Sequence, residues 1–281
     1  MGWSIGDRVR HVVKPDWGLG EVLGLDGDGR IVVYFERAGE KLLKDPPMVA
    51  ATGAEAQRPL VRGSKSRALK ARQPDKSLAQ YREAFVALFP KGFRDPEFVR
   101  RERDYKVAAS KEMSEALGQR RFSALLSRAK YGEACREALK AVNATNLIYP
   151  NEKMDLRDGL RTSASMKRFS ETLYEWLHGK ENEAERFQRF VDTLDAIGAS
   201  KWTTASYFAF LAIPRQHMFL KPVPTKRIAD ACGMELNYRP EPNWLTYESL
   251  RQVSARLELD LKDLSPRDFI DVQSFIWCVA R

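Results

Sequence analysis

Residues 197–233, IGASKWTTASYFAFLAIPRQHMFLKPVPTKRIADACG, constrain this chain most. Ahead of them, Phe187, Phe190, Leu194 and Ile197 recur at spacings of three, four and three, which predicts an amphipathic helix over 183–195. Gly198 stands where that helix must stop, because a residue without Cβ takes the left-handed conformation at the position after a helix end. Thr203 and Thr204 open a second helix whose body, Ala205, Tyr207, Phe208, Phe210 and Leu211, is apolar nearly all round and so buried. An extended apolar run follows, then a further helix stopped by Gly233. Two helices joined by a short Ile-Gly turn expose backbone N–H groups that can hold a DNA phosphate. Gly198, Ser200, Lys201, Trp202 and Thr203 are therefore candidate DNA contacts, with Lys226 and Arg227 near the start of the following helix.

A formal net charge of +9 agrees with a polyanionic partner, DNA being the simplest. Cys135, Cys232 and Cys278 are widely separated, and His11, His178 and His217 lie far from them and from each other. This spacing argues against a disulfide framework, a zinc site or an iron–sulfur cluster, so no metal or cofactor is expected. No run approaches the roughly 20 apolar residues of a membrane span, and no signal-like core opens the chain. The expectation is a cytoplasmic protein, monomeric and away from membranes.

Residues 4–43 alternate short β-branched runs (8–13, 21–24, 30–35 and 40–43) with glycine turns. The turn Asp26-Gly27-Asp28-Gly29 is a hairpin signal. Strands this short and this close predict a small SH3-like barrel over residues 1–45. Residues 46–76 read as a linker, in which Arg58, Arg62, Lys65, Arg67, Lys70 and Arg72 are either a DNA-tracking arm or a solvated spacer. Residues 77–281 read as one helical domain, so the fold class is mainly α with a small N-terminal β-barrel. Its helices are expected at 78–89, 97–117 after the Asp95-Pro96 start, 122–129, 131–142 and 167–178. Two more follow at 247–257, capped by Thr246, and at 267–280, started by Ser265-Pro266-Arg267-Asp268. The run Arg100-Arg101-Glu102-Arg103-Asp104 reads as a salt-bridged helix face.

Two stretches resemble known families. Leu194, Ile197, Gly198, Trp202, Thr203 and Ala205, with Pro214, Arg215 and Phe219 after them, resemble the core of the helix-hairpin-helix DNA glycosylase superfamily. That resemblance implies an all-helical domain that binds DNA through the hairpin, flips a base and excises it as a hydrolase. The family places its catalytic Asp where this chain has Pro222 or Val223. Gly6, Asp7, Val9, His11, Trp17, Gly18, Gly20, Val22, Val33, Phe35, Gly39, Lys41 and Leu43 resemble the Tudor-like module that ends many bacterial superfamily 1 repair helicases. That resemblance implies a docking surface for transcription or repair proteins, with Trp3 and Trp17 as contact aromatics; both residues equally serve as core in so small a barrel.

Base excision needs groups that hold the extruded base and a group that attacks or stabilises the sugar C1′. Asn143, Asn146, Tyr149 and Glu152, in a weakly periodic stretch closed by Pro150, are pocket candidates; turn and cap duty is the alternative for the asparagines. Lys221, beside Phe219 and Leu220, can act as a nucleophile through a lowered pKa, or can hold a phosphate. Asp271, a carboxylate in an apolar helix, must be paired or face a cleft, and with Lys221 forms the catalytic candidate pair. Three readings stand: a base-excising or base-sensing protein, a non-enzymatic DNA-binding adaptor that recruits a partner through the N-terminal module, and a protein-interaction factor whose charge is incidental.

Overall fold

The computed structural model describes residues 3–25, 30–57, 60 and 76–281. The chain divides into two compact units, Met1–Arg72 with Glu181–Glu185, and Gln73–Lys180 with Arg186–Arg281. The first unit is an antiparallel sheet of β1 (Arg8–His11), β2 (Leu19–Leu25), β3 (Arg30–Phe35), β4 (Gly39–Lys44) and β5 (Met48–Ala50), in the order β4-β3-β2-β1-β5. A short helix, α1 (Ala54–Gln57), follows it.

The sheet corrects the expected barrel: β4 and β5 are its two edges and do not pair with each other, so it stays open. The reason is local. Between them lie Asp45, held at φ 44°, and Pro46 and Pro47, which have no N–H to donate to a ladder, and β5 is only three residues long. Val9, Val22, Val33 and Phe35 form the buried core, with Trp3 and Trp17 packed half-buried against it. Trp17 lies 5.1 Å from Phe35 and 4.8 Å from His11, ring centre to ring centre, so both tryptophans serve the core. The 26–29 hairpin tip and the basic positions Arg58, Arg62, Lys65, Arg67, Lys70 and Arg72 lie outside the described residues.

The second unit is helical: α2 (Leu78–Leu88), α3 (Pro96–Phe98), α4 (Asp104–Leu117), α5 (Gln119–Ser127), α6 (Tyr131–Asn143), α7 (Pro150–Gly159), α8 (Ser163–His178), α9 (Glu183–Ala196), α10 (Trp202–Ala212), α11 (Pro222–Ala231), α12 (Trp244–Asp260) and α13 (Phe269–Ala280). A wide π-helical turn, Val99–Arg103, joins α3 to α4. Arg100 and Arg101 stay on the surface with Glu97 as the charge pattern predicts, but Arg103 turns inward to Asp268 and Asp271. Every α10 residue from Trp202 to Leu211 is buried, as expected of a helix apolar all round.

Two caps differ from the predicted ones. Asn243, not Thr246, caps α12: its side chain accepts from the Thr246 N–H at 3.0 Å, while Thr246 Oγ1 donates to the Asn237 carbonyl. Asp268, not Ser265, caps α13, accepting from Ile270 and Asp271; Ser265 sits at φ 57°, outside the helix. In both cases a shorter Asx loop reaches the free N–H groups at the N-terminus.

Lys106 is fully buried in α4 and its Nζ donates to Ser274 Oγ at 2.7 Å, with Glu102 Oε2 at 3.6 Å. Burial pulls its pKa down to about 8, below the 10.5 of an exposed lysine. The unfolded chain therefore binds the proton more tightly, and stability rises with pH between these two values. Relative to Lys106→Met, the wild-type protein should gain about 2–3 kcal/mol between pH 8 and pH 10 in denaturant titrations. Parallel pH profiles for the two proteins would mean that Lys106 titrates like a solvated lysine.

Candidate functional site

The turn between α9 and α10 is built from local hydrogen bonds. Gly198, at φ 72°, donates to the Asp195 carbonyl at 2.9 Å, and Ala199 donates to the Leu194 carbonyl at 2.8 Å. This paired pattern satisfies the last carbonyls of α9 and needs a residue that tolerates positive φ. Gly233, at φ 64°, ends α11 in the same way, with bonds from Gly233 to Asp230 and from Met234 to Ala229. At the start of α10, Thr204 Oγ1 accepts from the Lys201 N–H at 3.1 Å, and the Trp202 indole donates to the Arg239 carbonyl at 2.7 Å.

The extended run after α10 is tied back onto it. Ser206 Oγ accepts from the Leu220 N–H at 3.0 Å, and the Phe269 N–H donates to the Pro214 carbonyl at 2.8 Å. Met218, Phe219 and Leu220 are buried by this anchoring, and Lys221 becomes the capping residue of α11, with Pro222 at its first position.

These elements surround a cleft of about 360 Å³, lined by Tyr149, Glu152, Lys201, Trp202, Thr203, Lys221, Pro222, Val223, Pro224, Tyr238, Pro240 and Trp277. Lys221 is only 7% exposed, and its Nζ lies 3.7 Å from the Tyr149 ring centre and 5.4 Å from that of Trp277. Among the described residues its ammonium meets these two rings but no hydrogen-bond acceptor. Burial lowers the Lys221 pKa from its ordinary value, and the charge of Glu152 pulls it partly back. Glu152 accepts from the Tyr149 N–H at 3.1 Å at the start of α7, which fixes it at the cleft wall.

Six predicted residues from three separate stretches, Tyr149, Glu152, Lys201, Trp202, Thr203 and Lys221, thus meet in one cleft. Others do not join them. Asn143 and Asn146 are exposed and outside the lining, and Gly198 and Ser200 stay on the turn. Lys226 stands beside the cleft, its Nζ 4.4 Å from the Tyr238 ring centre. Arg227 donates to the carbonyls of Ala280 and Arg281 and holds the end of α13. Asp271 is taken out of the cleft: it is fully buried and ion-paired to Arg103 and Arg267, which satisfies a lone carboxylate in an apolar helix without a ligand. Tyr238, Pro240 and Trp277 were not foreseen.

Comparison with known proteins bears on the first unit. Residues 4–49 match the model of the family described as Protein of unknown function (DUF3553), and those residues span β1 to β4 and enter β5. No curated protein and no solved structure matches the chain.

Proposed function

We propose that this protein binds DNA through the α9–α10 turn and receives a base in the cleft beside it, as a repair or genome-surveillance protein does. The observation that carries the reading is the cleft: hairpin residues Lys201, Trp202 and Thr203 share its wall with Tyr149, Glu152 and Lys221. Aromatic rings give a base its stacking surface, and a helix N-terminus with Lys201 gives the backbone its anchor. Lys221 is the reacting group. Burial favours its neutral amine, whose lone pair attacks C1′ while the glycosidic bond breaks and the base leaves with a proton. Ring opening of the sugar then gives an imine between Lys221 and C1′. Glu152 is the carboxylate in the cleft lining, where Pro222 and Val223 stand in place of the Asp of the resembled glycosylases.

The test is borohydride trapping on labelled duplexes carrying damaged, modified or normal bases, with heat–alkali detection of abasic sites alongside. Wild-type protein should give a trapped adduct on at least one duplex, and Lys221→Ala should abolish it. Abasic sites without an adduct would replace the lysine mechanism by attack of water. Lys201→Ala should lower the salt slope of DNA binding by about 1 and weaken all sequences alike.

The same replacement of Asp by Pro222 and Val223 favours a second reading, an adaptor that binds DNA without cutting. In it the first unit recruits transcription or repair machinery as the Tudor-like module does, through the accessible parts of Trp3 and Trp17. Salt-sensitive DNA binding with neither adduct nor abasic site selects it, and absence of any DNA binding removes both readings.

A further inference from the structure

Two helix N-termini, of α10 and α11, open onto the cleft: Trp202 and Thr203 begin the first, and Pro222, Val223 and Pro224 begin the second. The first N–H groups of α10 have no partner within it and carry the equivalent of about half a positive charge, whereas Pro222 and Pro224 have no N–H, so α11 offers only that of Val223. Lys201 and Lys221 stand at these two starts and Glu152 opposes them, which with the α10 start leaves the cleft with about one and a half positive charges net. An independent observation points the same way. Lys221 is more than nine-tenths buried, its ammonium faces the cleft between Tyr149 and Trp277, and no acceptor among the described residues meets it. The Lys221 Nζ opens to the cleft with ring faces beside it and no protein acceptor, so an anion in the cleft would supply the charge-assisted partner it lacks. Beside the charge lie the flat surfaces of Tyr149, which is 51% exposed, of Tyr238 and of Trp277.

Resting on the nucleic-acid reading of this cleft, we propose that its ligand is a nucleoside monophosphate unit bearing a terminal phosphate. The phosphomonoester meets Lys221, Lys201 and the first turn of α10, and the base stacks on the aromatic wall. A terminal phosphate carries close to two negative charges at neutral pH and matches the cleft, whereas the phosphodiester inside a strand carries one. The volume, about 360 Å³, lies at the small end of the roughly 300–1,000 Å³ that ligand pockets span, which suits one nucleotide. The unit has two sources with one chemistry: a free nucleotide, or the 5′-phosphorylated end of a strand.

Calorimetric titration of the full chain with dAMP, deoxyadenosine and inorganic phosphate tests this, with matched oligonucleotides ending in 5′-phosphate or 5′-hydroxyl. We expect dAMP to bind at least about tenfold more tightly than deoxyadenosine, a difference within reach of one or two charge-assisted hydrogen bonds. Lys221→Gln should erase that ratio. The exposed Lys201→Gln, which does not endanger the fold, should reduce it severalfold, and Tyr149→Ala should weaken nucleotide and nucleoside alike about fivefold or more. Preference for dAMP alone assigns the free nucleotide, and preference for the phosphorylated end assigns the strand terminus; either upholds the inference. Equal affinity for dAMP and deoxyadenosine, or binding of neither together with indifference to the 5′ group, overturns it. Trapping at an internal base without any phosphate preference would overturn this inference and leave excision standing. Phosphomonoester preference without trapping would do the reverse.

Discussion

Asp271→Asn should destabilise the helical unit by about 3–5 kcal/mol, the usual cost of removing one partner from a buried ion pair. Asp271 is fully buried, and both its oxygens are taken: Oδ1 accepts from Arg103 Nη1 at 2.8 Å and Arg267 Nη2 at 3.0 Å, and Oδ2 accepts from the Arg267 N–H at 2.9 Å and Nε at 2.8 Å. Asparagine keeps the shape but removes the charge, and its amide brings donors against guanidinium groups that also donate. Arg103 would keep its forked contact with Asp268, at 2.8 and 2.7 Å, whereas Arg267 would keep only the Phe93 carbonyl at 2.8 Å. Among the described residues the Arg267 guanidinium would then have no carboxylate partner. Denaturant titration at neutral pH measures the loss, and a change below about 1 kcal/mol would show that the network is solvated. The effect belongs to folding, so adduct formation per folded molecule should not change. That separates Asp271 from Lys221, whose replacement should remove the adduct and leave the fold.

Below neutral pH the largest single contribution should come from His217. It is buried, with Nδ1 3.0 Å from the Tyr247 hydroxyl and the Trp176 ring 5.1 Å away, centre to centre. Burial first, then the charges of Arg251 and Arg186, pull its pKa down from 6.5 to about 3. The native imidazole is therefore neutral where the unfolded chain is already protonated. Because the unfolded state binds more protons between these values, stability falls as pH drops through 6.5 and continues to fall toward 3. Between pH 7 and pH 4.5 the wild-type protein should lose about 2–3 kcal/mol more than His217→Gln does. Both proteins carry the same carboxylates, so the difference between the two profiles isolates the imidazole. Profiles that run parallel would mean that the folded protein protonates His217 with ease.

Much of the helical unit was legible from spacing alone. The Phe187-Phe190-Leu194-Ile197 stripe, the stops at Gly198 and Gly233, and the all-apolar body of α10 follow from a 3.6-residue period and from the one residue type that accepts positive φ at a helix end. These features depend on bonds that span five residues or fewer, so neighbours in sequence are enough to decide them. The caps of α12 and α13 slipped by three residues because Asn243 and Thr246, or Ser265 and Asp268, are equally good cap chemistry and only the loop path chooses between them.

The cleft divides along the same line. Its residue types could be read from the sequence, because an aromatic, a lysine after an apolar run and a helix start each suggest a role by themselves. Their meeting could not be read, since it brings α7, α10, α11, α13 and the loop of Tyr238 around one space. Asp271 shows why: an isolated carboxylate in an apolar helix must find a cation or a cleft, and local sequence supplies Arg267 four residues away but is silent about Arg103, 168 residues away. By itself the sequence determined most of the helices, four of the five strands and the glycine stops at Gly198 and Gly233, while β5, α1 and α7 formed in stretches that read as linker or as weakly periodic. Only tertiary structure decided which charges neutralise each other inside the fold and which, like Lys221, are left facing a cleft, because electrostatic partnership is set by distance in space and by burial.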